Sequence, residues 1–376
     1  MLPQRALNRF RHDDRAAAGV FVAIGMTVFL GSAAIAIDLG HLMNVRTESQ
    51  RVADLAALAG ASAFVDGSAS VYQSLAEQRA IDFAAQNTID RTSVVLAAAD
   101  IQVDIPAERV RVTVTNAQGR DNPIQTIFAR VLGINDVDIV TTAVAEAFPA
   151  GGARCILPFM LPDKYEELGG DPDRYGDPPD YYEPFDPSSP SPTATGYTEA
   201  DKGLQIVIKP AQGNNPAKPN PSWYYPIAAY ATGGSAYRDA IAGCVDPDVI
   251  FQIGDDIDVE PGAMIGPTRQ GVNAAIAQAP THQWNVANKC VVDAAVDPEL
   301  CIGGSPRLWP VPMMAPPDAP GHGRKTVHIV NWAGVFLEGM QGNSVVVRFA
   351  GYSGVAPVPT GGGSAGALPK VIRLVE

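Results

Sequence analysis

The chain has 376 residues, with 40 Asp and Glu against 27 Lys and Arg, a net charge of −13. That acidity argues against nucleic acid as a partner, and against anionic lipid headgroups as partners of the soluble part, since both would repel it. The 32 prolines and 36 glycines predict many turns and long ordered loops, with less regular structure than usual.

Residues 1–15 form a basic leader in which Arg5, Arg9, Arg11 and Arg15 outnumber Asp13 and Asp14. Residues 16–37, AAAGVFVAIGMTVFLGSAAIAI, then run without a charge, the only stretch that could cross a bilayer. A helix of that length rises about 33 Å, close to the hydrocarbon thickness. Beyond it Asp38, Glu48 and Asp54 outnumber Arg46 and Arg51. The leader is therefore expected in the cytoplasm and the bulk of the chain outside, periplasmic or extracellular. The rival reading is a cleaved signal peptide, for which Ala34-Ile35-Ala36 offers an A-x-A site. Against cleavage, the run is long for a signal core and continues straight into another helix-forming stretch. A retained signal-anchor is the expectation.

The helical signal continues to about Phe64, with Leu42, Val45, Val52, Leu55 and Leu58 recurring at helical spacing. The run VADLAALAGASA is rich in small residues, which let another helix approach closely. A plain amphipathic stem and a helix–helix assembly surface both fit. The assembly reading predicts a contact face of Val52, Ala53, Ala56, Ala59 and Gly60 against a partner helix.

After Asp66-Gly67, residues 70–87 predict a second helix, IQVDI and RVRVTVTN two strands, residues 123–131 (PIQTIFARV) a third helix, and DVDIVTTAVAEAF another strand. This order suits an α+β module, a small sheet with helices on one face, within residues 38–150 and ending near Phe148. Residues 151–376 predict a β-rich, Pro- and Gly-rich extracytoplasmic region. Within it, residues 163–192 are acidic, Pro-rich and Tyr-rich, an irregular excursion. Strands are expected at GLQIVIKP, DVIFQIG, RLWPVPMM, KTVHIVNWAGVFLEG, SVVVRFAGY and KVIRLV, and a helix at PTRQGVNAAIAQ capped by Thr268. Residues 359–367, PTGGGSAGA, read as a Gly-rich loop.

Four cysteines lie beyond the apolar run, an even set that suggests two disulfides in an oxidising compartment. Three connectivities are possible; Cys155–Cys244 with Cys290–Cys301 is the expected one. No C-x-x-C occurs, which argues against zinc.

Chemistry-bearing patterns are few. Asp66, Ser68 and Ser70 match D-x-S-x-S, a divalent-metal pattern, but the preceding residues read as helix rather than buried strand, so a helix break is expected. Asp171, Asp173, Asp177 and Asp180, and likewise Asp255, Asp256, Asp258 and Glu260, have oxygen ligands of the kind calcium takes. The second group misses the EF-hand register, with Pro261 where glycine is needed, and solvated loop charge is the simpler reading of both. There is no G-x-S-x-G, H-E-x-x-H or P-loop. The histidines, His12, His41, His282, His322 and His328, are scattered, and His328 in its apolar strand reads as a packed residue. Trp223, Tyr224, Tyr225, Trp284 and Trp332 could line a glycan or peptide groove or fill a core. No catalytic residue, cofactor or metal ligand is assigned.

The N-terminal pattern resembles TadG-type proteins of the tight-adherence (Flp) pilus assembly system. The resemblance rests on Asp38-Leu39-Gly40, Gln50, Ala53-Asp54 and Leu58-Ala59-Gly60-Ala61. Later stretches are also similar to longer members: residues 155–159 with Pro162-Asp163, Tyr237-Arg238 with Gly243-Cys244, 262–268 with Gln270-Gly271-Val272, and 327–338. True pilins carry glutamate five residues beyond the processed glycine, whereas Gly19 is followed at that distance by Ile24. That departure argues against processing and against use as a major pilin. The resemblance implies a non-enzymatic, pseudopilin-like protein of the bacterial inner membrane that works in pilus assembly or surface attachment. Its implied partners are TadE-like pseudopilins or pilins, with the lipid bilayer around residues 16–37. A membrane-anchored adhesin or glycan-binding protein, stabilised by calcium, is the alternative.

Overall fold

A computed structural model describes residues 14–168, 174–176, 180–184, 191, 193–211, 218–321, 325–357 and 368–375. The leader up to residue 13, Asp171, Asp173, Asp177, residues 185–190, His322 and residues 358–367 lie outside the described residues.

Helix α1, Asp14–Ala61, runs unbroken for 48 residues, about 72 Å at 1.5 Å per residue. It contains no proline. In its apolar part Thr27 and Ser32 donate their hydroxyls to the carbonyls of Ala23 and Val28, both at 2.9 Å, so neither is left unpaired away from water. Past Ala61 the chain makes a short helical turn, Ala63–Asp66, closed by the Gly67 N–H on the Ala63 carbonyl at 2.8 Å. Helix α2, Tyr72–Ala85, then runs back along α1, burying Tyr72, Leu75, Ala76, Ala80 and Ala84.

Strands β1 (Ile101–Asp104), β2 (Arg109–Asn116) and β3 (Ile139–Arg154) follow as antiparallel neighbours. Alternation puts Val110, Val112 and Val114 of β2 into one core with Val45, Val52, Ala53, Ala56 and Ala57 of α1. The helices therefore cover one face of an antiparallel sheet, an α+β arrangement.

The next region closes on itself. Strands β4 (Phe159–Pro162), β5 (Gln205–Pro210), β6 (Trp223–Pro226), β7 (Leu308–Met314), β8 (Asn331–Gln341) and β9 (Ser344–Ala350) form a six-stranded barrel in the order β6-β4-β7-β8-β9-β5. The closing pair, β5 with β6, is parallel, as is β4 with β7; the others are antiparallel. Alternation sends Phe159 and Leu161 into one core with Tyr224, Val335 and Phe349, and Met160 into another with Tyr225 and Trp332. Two helices pack beside the barrel, α3 (Gly234–Ala242) and α4 (Ile265–Gln278). They meet at Gly271, where a β-carbon would lie 2.6 Å from Ile241 Cβ.

The two regions are stitched together. Strand β3 passes the expected end near Phe148 and runs on to Arg154, where residues 250–252 pair with it. On its other edge strand β10, Pro369–Leu374, pairs Lys370 with Pro149 and Leu374 with Ala145. Both disulfides form as expected: Cys155–Cys244 holds the end of β3 to the end of α3, and Cys290–Cys301 closes a hairpin.

Three local expectations need correction. The helix expected at residues 123–131 is a two-residue strand, Ile124–Gln125, and a 3-10 turn, Ala129–Leu132. Nine residues make a marginal helix unless an apolar face is buried, and here Val131 and Leu132 find no core. Thr268 does not cap α4; the helix starts at Ile265, and the buried Thr268 hydroxyl bonds the phenols of Tyr224 and Tyr237. His328 is exposed and pairs with Asp256 across neighbouring short strands.

Candidate functional site

Helix α1 changes surroundings along its length. From Val20 to Ile37 its large apolar side chains are exposed on every side, and no part of the apolar window is buried. From Asp38 onward one face is packed against protein.

Asp38 makes the first of these contacts. Its carboxylate is 5 % exposed and accepts four backbone N–H bonds from residues 127–129. The distances are 2.8 Å from Ile127, 3.0 Å from Phe128 to each oxygen, and 2.5 Å from Ala129. These N–H groups lead into the 3-10 turn at Ala129–Leu132, so Asp38 caps that turn from another element. Further along, buried Ser49 accepts a hydrogen bond from Asn116 at 3.1 Å. Gln50 donates to Asp54 at 2.7 Å and to the Thr142 carbonyl of β3 at 3.2 Å.

The face assigned to a partner helix lies inside this chain. Val52, Ala53 and Ala56 are buried in the α1–sheet core. A β-carbon on Gly60 would lie 2.9 Å from Val110 Cγ1 and 3.2 Å from the Ala76 carbonyl, and Ala59 is half-buried. Small residues do admit a close helix, but the helix is α2 of the same chain. Of the residues that carried the family resemblance, Asp38, Gln50, Ala53 and Gly60 thus dock α1 on its own module, whereas Leu39 and Gly40 stay exposed.

At the far end of α1 a charged cluster is shut away from solvent. Lys202 donates to the Val65 carbonyl at 2.8 Å and to the Gly67 carbonyl. Lys370 of β10 donates to the Phe64 carbonyl at 3.1 Å and to Glu108 at 2.8 Å, and its ammonium lies 3.1 Å from Glu199. Tyr72 donates to Glu199 at 2.7 Å. Two ammonium groups thus offset two carboxylates where the helix turn leaves carbonyls without partners, the end that favours positive charge. Burial pushes the Lys202 ammonium down to about 8. Burial also raises the Glu108 carboxyl. For Glu199 burial acts upward, but the two lysines outweigh it and the carboxyl stays below its ordinary value. Beside the cluster, a β-carbon on Gly351 would lie 1.7 Å from the Val65 carbonyl, so barrel and stem meet backbone to backbone.

Other candidates resolve into structure. Asp66 pairs with Arg79 at 2.7 Å, and Arg79 also bonds Ser62 and the Cys301 carbonyl, so the D-x-S-x-S carboxylate belongs to an ion pair. In the second acidic group Asp255 accepts from the Gln252 N–H, Asp258 from Thr326 and Glu260 from the Gly233 N–H. Among the described residues no three His, Cys, Asp or Glu side chains gather around a common point. Trp223, Tyr224, Tyr225 and Trp332 are buried in cores rather than lining a glycan groove, and Trp284 lies half-buried near Arg348 and Phe336.

One cluster has the residue types of a hydrolase. His282 Nδ1 lies 2.8 Å from Ser305 Oγ, and its Nε2 3.8 Å from Asp293. The second distance exceeds a hydrogen bond. Ser305 is 4 % exposed, so its hydroxyl is shut away from solvent. The His282–Ser305 contact is thus a part-buried hydrogen bond between a strand end and a loop of the barrel region.

Sequence reasoning met Asp38 only as a flanking charge and a signature residue, and missed Glu108, Glu199, Lys202 and Lys370. An acidic residue directly after an apolar span is a visible signal. The buried lysines carry none, since their partners come from distant segments.

No curated protein and no solved structure matches the chain. Residues 16–63 match the model of the Flp pilus-assembly TadE/G-like family, a match that begins in the exposed apolar run and ends within the turn after α1. The chain carries, as its N-terminal helix, a TadE/G-like segment of the Flp pilus-assembly type.

Proposed function

We propose that this chain is a membrane-anchored, pseudopilin-like accessory protein of a bacterial tight-adherence (Flp) pilus. It acts through protein contacts in assembly or attachment, without catalysis. In this reading the leader lies in the cytoplasm and the α+β module and barrel outside the inner membrane. One observation carries it: a single helix whose first half exposes large apolar side chains and whose second half is built into a sheet module, over the same residues as the family match. Such a design holds a folded body at a fixed height above a bilayer and leaves the span free to pack against other spans.

With the Ala56–Gly60 face occupied internally, contacts to TadE-like pseudopilins or pilins fall to the exposed faces of the span. Photo-crosslinking residues at Phe21 and Phe29, in the full chain in cells assembling pili, should capture another single-span pilus-assembly subunit. Pili should be lost or reduced when the chain is deleted. Capture of lipid alone, with normal piliation in the deletion strain, would overturn the proposal.

A further inference from the structure

We infer that residues 127–134, IFARVLGI, form a second membrane contact, a loop whose apolar side chains enter the outer-leaflet surface of the bilayer that holds residues 16–37. The inference rests on the reading of those residues as a membrane span.

Position is the first argument. Residues 18–37 rise about 30 Å, which puts Asp38 at the boundary between hydrocarbon and headgroups. Asp38 holds the N–H groups of Ile127, Phe128 and Ala129 within hydrogen-bond distance, so the loop cannot lie far from that boundary. The apolar surface of α1 itself continues past Asp38, with Leu39 and Met43 exposed.

The side chains are the second argument. Val131 is 84 % exposed and Leu132 75 %, and Ile127, Phe128 and Ile134 are exposed beside them. Five large apolar groups on so short a loop make a patch that water disfavours, and its place continues the apolar surface of the span. Arg130, also exposed, suits the headgroup layer, where its stem lies in an apolar zone and its guanidinium meets phosphate.

Rigidity is the third. Thr126 bonds the Ile134 carbonyl through its hydroxyl at 2.6 Å and the Asn135 carbonyl through its N–H at 3.0 Å, and Ile124 pairs with Val137 below. Gly133, at φ 87°, allows the chain to turn back. The loop is held out before any bilayer meets it, so little ordering cost attends insertion. Insertion is driven by apolar area, and the net negative charge of the chain does not oppose it on neutral lipid.

All four cysteines are paired, so an introduced thiol can be labelled without reduction. The full chain, reconstituted into phosphatidylcholine vesicles, would carry an environment-sensitive fluorophore at Leu132→Cys, at Phe29→Cys in the span, or at Val296→Cys on a distant exposed hairpin. Lipids with a spin label high on the acyl chain should quench residue 132, whereas aqueous iodide should quench it roughly five-fold less than residue 296. Asp38→Ala should release the loop and lower lipid quenching at 132 by roughly half while leaving residue 29 unchanged. If residue 29 is quenched by lipid and residue 132 by iodide, the loop contact is wrong and the span stands. Failure of lipid quenching at residue 29 removes the span itself. Protection of residue 132 from both quenchers would show a protein cover, a second copy or a partner, and would overturn the inference.

Discussion

The two halves of α1 are equally helical, yet they are solvated by different materials. The first carries Val20, Phe21, Val22, Ile24, Phe29 and Leu30, exposed on all sides; the second carries Ala53, Ala56, Ala57, Gly60 and Ala61, buried to the backbone. Side-chain size, more than hydrophobicity, separates them. Lipid accepts any apolar surface, whereas a neighbouring helix and sheet need room to approach. A run of small residues after a span therefore says that something packs there, and leaves open whether it belongs to another chain.

The comparison breaks most severely where the second half ends. Lys370→Met leaves Glu108 and Glu199 buried with one fewer cation, and the cost should be about 3–5 kcal/mol. Denaturant unfolding of the full chain in nanodiscs, followed by tryptophan fluorescence, would measure it; an unchanged midpoint would mean that the cluster does not hold the end of α1. A smaller effect sharpens the contrast between the halves. Gly60→Leu drives a side chain into Val110 and Ala76 and should cost about 3 kcal/mol, whereas Gly25→Leu, with nothing within 4 Å, should leave the same transition in place. Equal losses from both would erase the distinction.

The smallest effect is a slope. The native chain releases the Lys202 proton near pH 8, while the unfolded chain keeps it up to its ordinary 10.5. Between these values the unfolded state binds more protons, so the Lys202 contribution to stability rises with pH, by at most about 1.4 kcal/mol per pH unit. Subtracting the pH profile of Lys202→Met, in which the tyrosine ionisations are shared, should isolate that rise. Parallel profiles would place Lys202 in water.

Much of the first region was legible because its elements are long and periodic: the unbroken α1, the 3–4 spacing of Tyr72, Leu75, Ala76 and Ala80 in α2, the alternating valines of β2. The 3-10 turn after Ile127 was misread because helical spacing of Ile127, Phe128 and Val131 carries no information on whether a core waits to receive them. The barrel was legible only as four of its six strands, β5, β7, β8 and β9. Its closure joins Trp223 to Lys209 and Met313 to Leu161 through parallel pairs between distant segments, and four-residue strands such as FMLP and WYYP end in proline. Helix α3 escaped because it opens on a pair of glycines. The site was half visible: the Asp38 signature stands in the sequence, but its partners lie about ninety residues on.

Strand β10 gives the chain an order of events. The sheet under α1 keeps one edge of β3 open from Ala145 to Pro149 until residues 369–374 arrive. At roughly 5–20 residues per second of synthesis, that edge waits roughly ten to forty seconds after β3 emerges. During this interval Lys370 has not yet reached Glu108. An unpaired edge is a template for wrong pairing, so the sheet under α1 is complete only once the last strand of the chain has arrived.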